Sequence, residues 1–440
     1  MVTSLFSRVG ASVAVLSLTV LAACQEAEVI LVGPREDIRP AADSEAVETR
    51  GAKPISLPAQ QANVSWPQSP GTAAFRTTHA QLRATPQRVW SNSIGKGDSR
   101  KQRITAEPVV AGGLIYTLDS GANVTATSAQ GATVWSVNLI PAQDGDADAT
   151  GGGLAYADGV LYVSSGFGRL TALDARTGVT RWQKRLNATG SGAPLVNGGL
   201  LYLVAGDETG WAVDVKDGRI AWQIQATPSV GNVLGAPAPV IAQEFAVFAF
   251  GSGDVSATFR RGGIRRWNAS VAGGRRGRAA AQIVDVTGGP MVVGDTIYIG
   301  NHSGRTVAFD ADSGERKWTA DEGAIDTVWP AGNSIFQVSD RSQLIRLDAA
   351  TGQVVWAQDL PGFVKDKPNR RGPIVAHYGP ILAGGRIVIA SNDGYLRFFN
   401  PVDGALVNRV EVPGGATTAP VVAGQTLYVV STKGDLHAFR

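Results

Sequence analysis

Runs of four to six residues, in which aliphatic or aromatic side chains alternate with small or polar ones, recur from Pro108 to the end of the chain. Leu200-Leu-Tyr-Leu-Val204 is typical. A period of two, bounded by Gly, Asp and Pro, predicts short strands separated by tight turns.

The runs align as one repeat. An aromatic anchor is followed 19 or 20 residues later by Trp: Tyr116 by Trp135, Tyr162 by Trp182, Tyr202 by Trp222, Phe248 by Trp267, Tyr298 by Trp318 and Phe336 by Trp356. A seventh unit has Val388 at the anchor and Asn408 in the Trp slot; an eighth has Tyr428 and reaches Arg440 before its slot. Five anchors follow Pro-x-x-x-Gly, as in Pro108/Gly112 and Pro194/Gly198. Between anchor and Trp lies Gly-x-Leu/Val-x-Ala-x-Asp-x-x-x-Gly, as in Gly168 to Gly178. Each unit therefore predicts four strands. The Pro-led run is the first, with Pro where no ladder N–H is needed. The anchor run is the second. The third ends in a hairpin whose Asp bonds its own backbone and whose Gly takes a positive φ. The Trp run is the fourth.

Four antiparallel strands per unit define a propeller blade. The expected fold is all-β: a single eight-bladed β-propeller over residues 65–440. Arg88-Val89-Trp90 lies one repeat before Trp135 and is expected to complete the last blade, closing the ring without long open edges. The tryptophans are assigned to packing between blades.

The N-terminus reads differently. Arg8 precedes an apolar-leaning stretch, Val9–Leu21, too short for the roughly 30 Å of a bilayer core and suited to a signal peptide. Leu21-Ala22-Ala23-Cys24 resembles the bacterial lipobox, and Cys24 is the chain's single cysteine. The resemblance implies a lipoprotein signal peptide over 1–23 and lipidation of Cys24. Gln25, in place of the Asp that favours inner-membrane retention, points to the outer membrane. Residues 24–64, with four prolines and no persistent period, are expected to be a flexible tether with at most a short helix near Asp43–Glu48.

Composition narrows function. Forty basic against 37 acidic residues give a net charge of +3, which argues against a nucleic-acid binder. One cysteine excludes an intrachain disulfide and any Cys-based cluster, and the four histidines form no local metal motif.

The run Ala172-Leu-Asp174-Ala-Arg-Thr-Gly178-Val-Thr-Arg-Trp182 resembles the pyrroloquinoline-quinone-type propeller repeat. Together with the lipobox and tether, and with an opening Trp66-Pro-Gln-Ser-Pro-Gly71 similar to that of such propellers, the chain resembles the BamB family over roughly residues 20–440. That family is the propeller lipoprotein of the outer-membrane β-barrel assembly machinery. The resemblance implies a non-enzymatic scaffold without a cofactor, lipid-anchored on the periplasmic face of the outer membrane. Its expected partners are the POTRA region of the barrel-inserting subunit and nascent outer-membrane proteins. Family contacts map onto Ser229–Gly235, including Val230, Val233 and Leu234, and onto Asp285 and Thr287. Leu234 replaces the family's Arg and Thr287 replaces an Asp. From the residues alone, Ser229–Gly235 reads equally as a blade connector with exposed aliphatics, and Asp285 as a turn residue. Leu234→Asp or Asp285→Arg is expected to weaken capture of the barrel subunit without unfolding the ring.

Other readings stay open. Arg260, Arg261, Arg265, Arg266, Arg275, Arg276 and Arg278 form either solvated turns or a patch for an acidic partner or lipid headgroups. Trp211 and Trp329 fall outside the regular slots; with Asp326, Trp329 is the best candidate to stack a flat cofactor, as a quinone-dependent dehydrogenase requires, against a bland reading of blade packing. Asp144, Asp146 and Asp148 alternate as calcium ligands do, but without an EF-type Gly and terminal Glu. No Gly-x-Ser-x-Gly, Walker or His-Glu-x-x-His motif occurs. A periplasmic ligand-binding propeller is the remaining alternative.

Overall fold

The computed structural model describes residues 53–68, 77–186, 188, 192–228, 236–275, 285–365, 367 and 373–440. Cys24, the signal peptide and the segment near Asp43–Glu48 lie outside the described residues, as do Val230, Val233 and Leu234.

Every regular element among the described residues is a strand, and the strands form eight four-stranded antiparallel sheets. Blades 1 to 7 span 109–138, 152–185, 195–225, 240–270, 291–320, 329–359 and 377–411. Blade 8 combines 421–439 with Arg88–Ser93, which pairs antiparallel to Asp435–Phe439 and places Trp90 opposite Ala438. The Trp slot of the last blade is thus filled from the other end of the ring, as the repeat arithmetic required. Gln87 and Arg440 exchange backbone hydrogen bonds of 2.9 and 2.8 Å beside this closure.

First strands of neighbouring blades touch one another, so they line the central channel. Because each blade is a meander, successive loops alternate between two faces. One face carries the blade-to-blade connectors and the turns between second and third strands. We call it the connector face. The opposite hairpin face carries the other two turns of each blade. There, Pro-x-x-x-Gly delivers its Gly in the left-handed region, at φ 59° for Gly112 and 61° for Gly198. Asp158 and Gln243 adopt the same conformation in blades 2 and 4, which is why those blades lack the sequence signal.

The Asp-x-x-x-Gly hairpin and the Trp form one device. Asp174 Oδ1 accepts from Arg176 N and Thr177 N (both 3.1 Å), closing the turn through its own side chain. Arg181 (2.7 Å) and these donors hold the Asp174 carboxyl down at about 2. Gly178 is needed twice: its φ is +75°, and a Cβ there would fall 2.8 Å from the Trp135 ring of the preceding blade. Trp135 Nε1 then donates to Ala175 O at 3.0 Å. The same indole-to-carbonyl bond joins Trp90 to Ala129, Trp182 to Val215, Trp222 to Arg260, Trp267 to Ala311, Trp318 to Ala349 and Trp356 to Pro401. Only the seam from blade 7 to blade 8 lacks it. The third and fourth strands of blade 8 belong to distant chain segments, so no hairpin carbonyl or Gly joins them there. An indole at position 408 would have nothing to clamp, and Asn408 occupies the slot.

Residues 53–64, expected to belong to a tether, are instead laid on the hairpin face. Ile55 and Leu57 pack against the core, Gln61 N donates to His79 O (2.8 Å), and Asn63 Nδ2 donates to Val422 O of blade 8 (2.6 Å). The main chain had no period because it pairs with loops and not with a ladder. We call the described residues of 53–68 and 77–86 the strap.

Candidate docking face and central channel

The strap reaches across the channel on the hairpin side. Trp66 exchanges backbone bonds with Val110 of blade 1 (2.7 and 2.9 Å) and stacks on Trp329 of blade 6, with centroids 6.2 Å apart and planes 13° apart. Two blades separate these partners, so the pair spans the channel. Trp329 Nε1 donates to Thr78 O at 3.1 Å. The ring face that could have carried a flat cofactor is covered by Trp66. Trp211 is buried in the core cluster that also holds Tyr162, Leu170 and Val196, between blades 2 and 3. Both tryptophans are packing residues, although Trp329 packs on a segment that its blade's repeat does not announce.

Asp326 lies near Trp329 in sequence, in the connector before blade 6. Its carboxylate accepts from Thr327 N (2.6 Å) and Gly379 N of blade 7 (2.7 Å). Asp326 is half-buried, and desolvation by the surrounding protein pushes its pKa up to about 6 despite those two bonds. The folded state therefore holds this proton more tightly than the unfolded chain. Its contribution is present below about pH 4 and is lost as pH rises through about 6. Stability should fall across that window, by about 1–2 kcal/mol after allowance for partial solvent contact. Asp326→Asn should flatten that slope in denaturant titrations at pH 4 and pH 7. An unchanged slope would remove Asp326 as its source.

On the connector face the segment after blade 4 is tied down at both ends by one turn of blade 5. Arg275 N donates to Ser303 O (2.9 Å), and His302 N donates to Asp285 O (3.0 Å). The Arg275 guanidinium reaches across blade 5: Nε donates to Asp340 Oδ2 (2.8 Å) and Nη2 to Glu322 Oε2 (2.6 Å). Arg341 Nη2 donates to the other Glu322 oxygen (2.7 Å). All four side chains are largely buried. Glu322, Asp340 and Arg341 carry no motif in the sequence. No signal there could have found them, because they sit 47 to 66 residues from Arg275.

Asp285 is buried at 3 % exposure, and Thr287 Oγ1 donates to Ile325 O at 2.9 Å, tying the connector to that of blade 6. Their side chains face into the protein. Asp285→Arg would force a cation into that buried position, so this variant cannot be the non-disruptive probe expected from the sequence.

The arginines of this set that the structure describes do not form one patch. Arg260, in a hairpin-face turn, donates to Asn197 Oδ1 (2.7 Å); Arg266 pairs with Asp312 (3.2 Å) on an outer strand; Arg275 is consumed by Asp340 and Glu322 on the connector face. Arg261 is exposed, and Arg276 and Arg278 lie outside the described residues. In the acidic loop, Asp146 pairs with Lys96, which lowers its pKa, and Asp148 accepts from Gly145 N (2.6 Å). Among the described residues, no three acidic, His or Cys side chains converge as a metal site. A wide groove on the connector face is lined by Asp144, Phe167, Arg169, Arg185 and Asp207; two acids against two bases give it no net preference for charge.

Fold and repeat together define an eight-bladed propeller of the pyrroloquinoline-quinone-repeat class. The family described as outer membrane protein assembly factor BamB matches residues 120–358 and 365–440, and the chain belongs to that family. Relatives bearing this name include those of Salmonella typhimurium (27 % identical over 360 residues, 80 % of this chain and 88 % of that protein), Escherichia coli K12 (26 %, with the same coverage) and Burkholderia pseudomallei (27 % over 363 residues, 80 % and 88 %). Among solved structures, BamB from Moraxella catarrhalis superposes with a TM-score of 0.66 at 19 % identity, covering 81 % of this chain and all of that one. A quinohemoprotein alcohol dehydrogenase from Pseudomonas putida HK5 superposes at 0.60 with 15 % identity, covering 82 % of this chain and 78 % of that one. At such identities these superpositions establish the fold alone.

Proposed function

We propose that the chain is an outer-membrane protein assembly factor acting as a non-enzymatic scaffold. In this reading Cys24 anchors it to the periplasmic face of the outer membrane. The ring binds the POTRA region of the barrel-inserting subunit and helps present nascent outer-membrane proteins. The observation that carries the reading is the family match along nearly the whole ring. The strap adds support for a side: it occupies much of the hairpin face, leaving the connector face for a partner. The connector between blades 3 and 4 contains Ser229–Gly235, whose aliphatic residues suit a hydrophobic or edge contact.

Affinity capture of the tagged full-length protein from solubilised envelope, read by mass spectrometry, tests this. A POTRA-containing outer-membrane barrel should be recovered, and Leu234→Asp should lower that recovery about tenfold with ring stability unchanged. Recovery of no such barrel would sink the scaffold reading. A barrel recovered equally by the variant would move the contact away from Leu234.

The quinone-enzyme reading is disfavoured by the Trp66–Trp329 stack, which fills the place where a flat group would lie.

A further inference from the structure

Each blade sets one third-strand residue opposite its Trp slot. That residue is Ala126, Ala172, Ala212, Ala257, Ala308 and Ala438 in six blades and Phe398 in blade 7. Blade 6 has Arg346, opposite Trp356. A guanidinium where the repeat carries a methyl group is costly unless it is fully bonded. Arg346 has no solvent exposure. Its Nε donates to Ser334 Oγ (2.8 Å), Nη1 to Lys53 O (2.8 Å) and Val402 O (3.1 Å), and Nη2 to Pro54 O (3.2 Å). Two of its acceptors are thus main-chain carbonyls of the arriving strap, and a third is the facing hairpin of blade 7. Asn333 Nδ2 also donates to Pro54 O (3.2 Å), and Lys53 pairs with Asp348.

Beyond this socket the strap ties blade to blade. His79 accepts from Gly385 N of blade 7 through Nε2 (2.8 Å), so its proton lies on Nδ1, which donates to Pro58 O (2.7 Å). Gly424 N of blade 8 donates to Asn63 O (2.8 Å), and Gln68 bonds both N and O of Val196 in blade 3. The strap therefore bridges the seam of blades 7 and 8, the one seam without an indole clamp.

We propose that Arg346, with Ser334, Asn333 and Asp348, is a binding site for an extended main-chain segment, and that residues 53–54 of this same chain are its ligand. The site is a latch. It fixes where the chain joins the ring, at the hairpin face beside blades 6 and 7, and through the strap it holds the seam of blades 7 and 8 shut. Any anchor upstream then pulls on the hairpin face, leaving the connector face free.

Hydrogen exchange on the full-length protein reads this directly. Arg346→Ala should speed exchange of the Gln61 and Gln81 amides and of strand Leu406–Glu411 about tenfold or more, while the seams of blades 1 to 5 keep their protection. Should Arg346→Ala fail to fold, the double variant Lys53→Ala/Asn333→Ala decides. Both side chains are exposed, each holds the strap from outside the core, and about threefold faster exchange at the same sites is expected. Unchanged strap exchange in a folded variant, or a rise spread evenly over all eight blades, would overturn the latch.

Discussion

Replacing Trp222 by alanine should lower the unfolding free energy of the ring by about 3–5 kcal/mol. The indole is 9 % exposed and fills the seam between blades 3 and 4, against Tyr202 at 5.9 Å and Phe248 at 5.8 Å between ring centroids. Its Nε1 donates to Arg260 O at 2.9 Å, and its ring lies where any Cβ on Gly263 would fall 2.6 Å away. Truncation removes an aromatic that buries on the order of 150–250 Å², opens a cavity and leaves the Arg260 carbonyl without that donor. The backbone of Gly263, at φ +68°, cannot relax into the space without abandoning its turn. Denaturant titration of the variant, with the slope of the transition compared to separate stability from loss of cooperativity, checks the magnitude. A loss below about 1 kcal/mol would mean that the first and second strands carry the seam and the indole does not.

Arg275→Ala should cost about 2–4 kcal/mol at pH 7. The guanidinium bonds two carboxylates whose side chains are 9 % and 11 % exposed, and its removal leaves Arg341 to serve both. The penalty is chiefly that of the uncompensated buried charge, not the worth of the pair. The effect of pH gives a second readout. Burial alone would raise the pKa of Asp340, but Arg275 overrides it and holds the carboxyl below the usual range. Its stabilising contribution is therefore present above about pH 4 and is lost as pH falls through the lowered pKa. Without Arg275 the burial effect prevails, and acid should relieve the variant instead. The gap between wild type and variant should narrow from pH 7 towards pH 3. Arg275→Lys, which keeps the charge but not the two-acid fork, should recover part of the loss. A gap that stays constant with pH would show that lost packing, not charge, is responsible.

Much of this was readable in the chain. Positions within a blade are set by local rules: alternation makes the strands, Asp174 closes its hairpin through its own amides, and Gly178 satisfies a backbone angle. These interactions span fewer than ten residues and recur from blade to blade, the Asp closure itself at Asp174, Asp214, Asp310 and Asp348, so they print a periodic pattern. The closing strand at Trp90 was legible for the same reason, since it falls in phase with the slots. Even the break in the pattern at Asn408 was visible, though its cause was not: the absence of a hairpin in blade 8 becomes apparent only when the ring closes.

What the repeat does not carry, it does not announce. Arg275 read as one of seven surface arginines, because its partners at 322 and 340 are brought to it by the curvature of the ring. Asp285 and Thr287 matched a family pattern by spacing, yet one is buried and the other is engaged by Ile325. Residues 53–64 read as tether because their hydrogen bonds go singly to side chains and scattered backbone groups of blades 6 to 8 and to the later strap, which have no period to match. Arg346 was one unremarked departure among six alanines and a phenylalanine. The sequence by itself determined the blade and the number of blades, since each rests on short-range bonds repeated in register, and the way the ring closes, since the strand at Trp90 falls in phase with that repeat although it pairs with the far end of the chain. Only the tertiary structure decided which charged and polar groups meet, which face the chain covers with its own strap and which seam needs it, because these contacts join residues from 47 to about 360 positions apart, and desolvation makes each one strong only after the ring has formed.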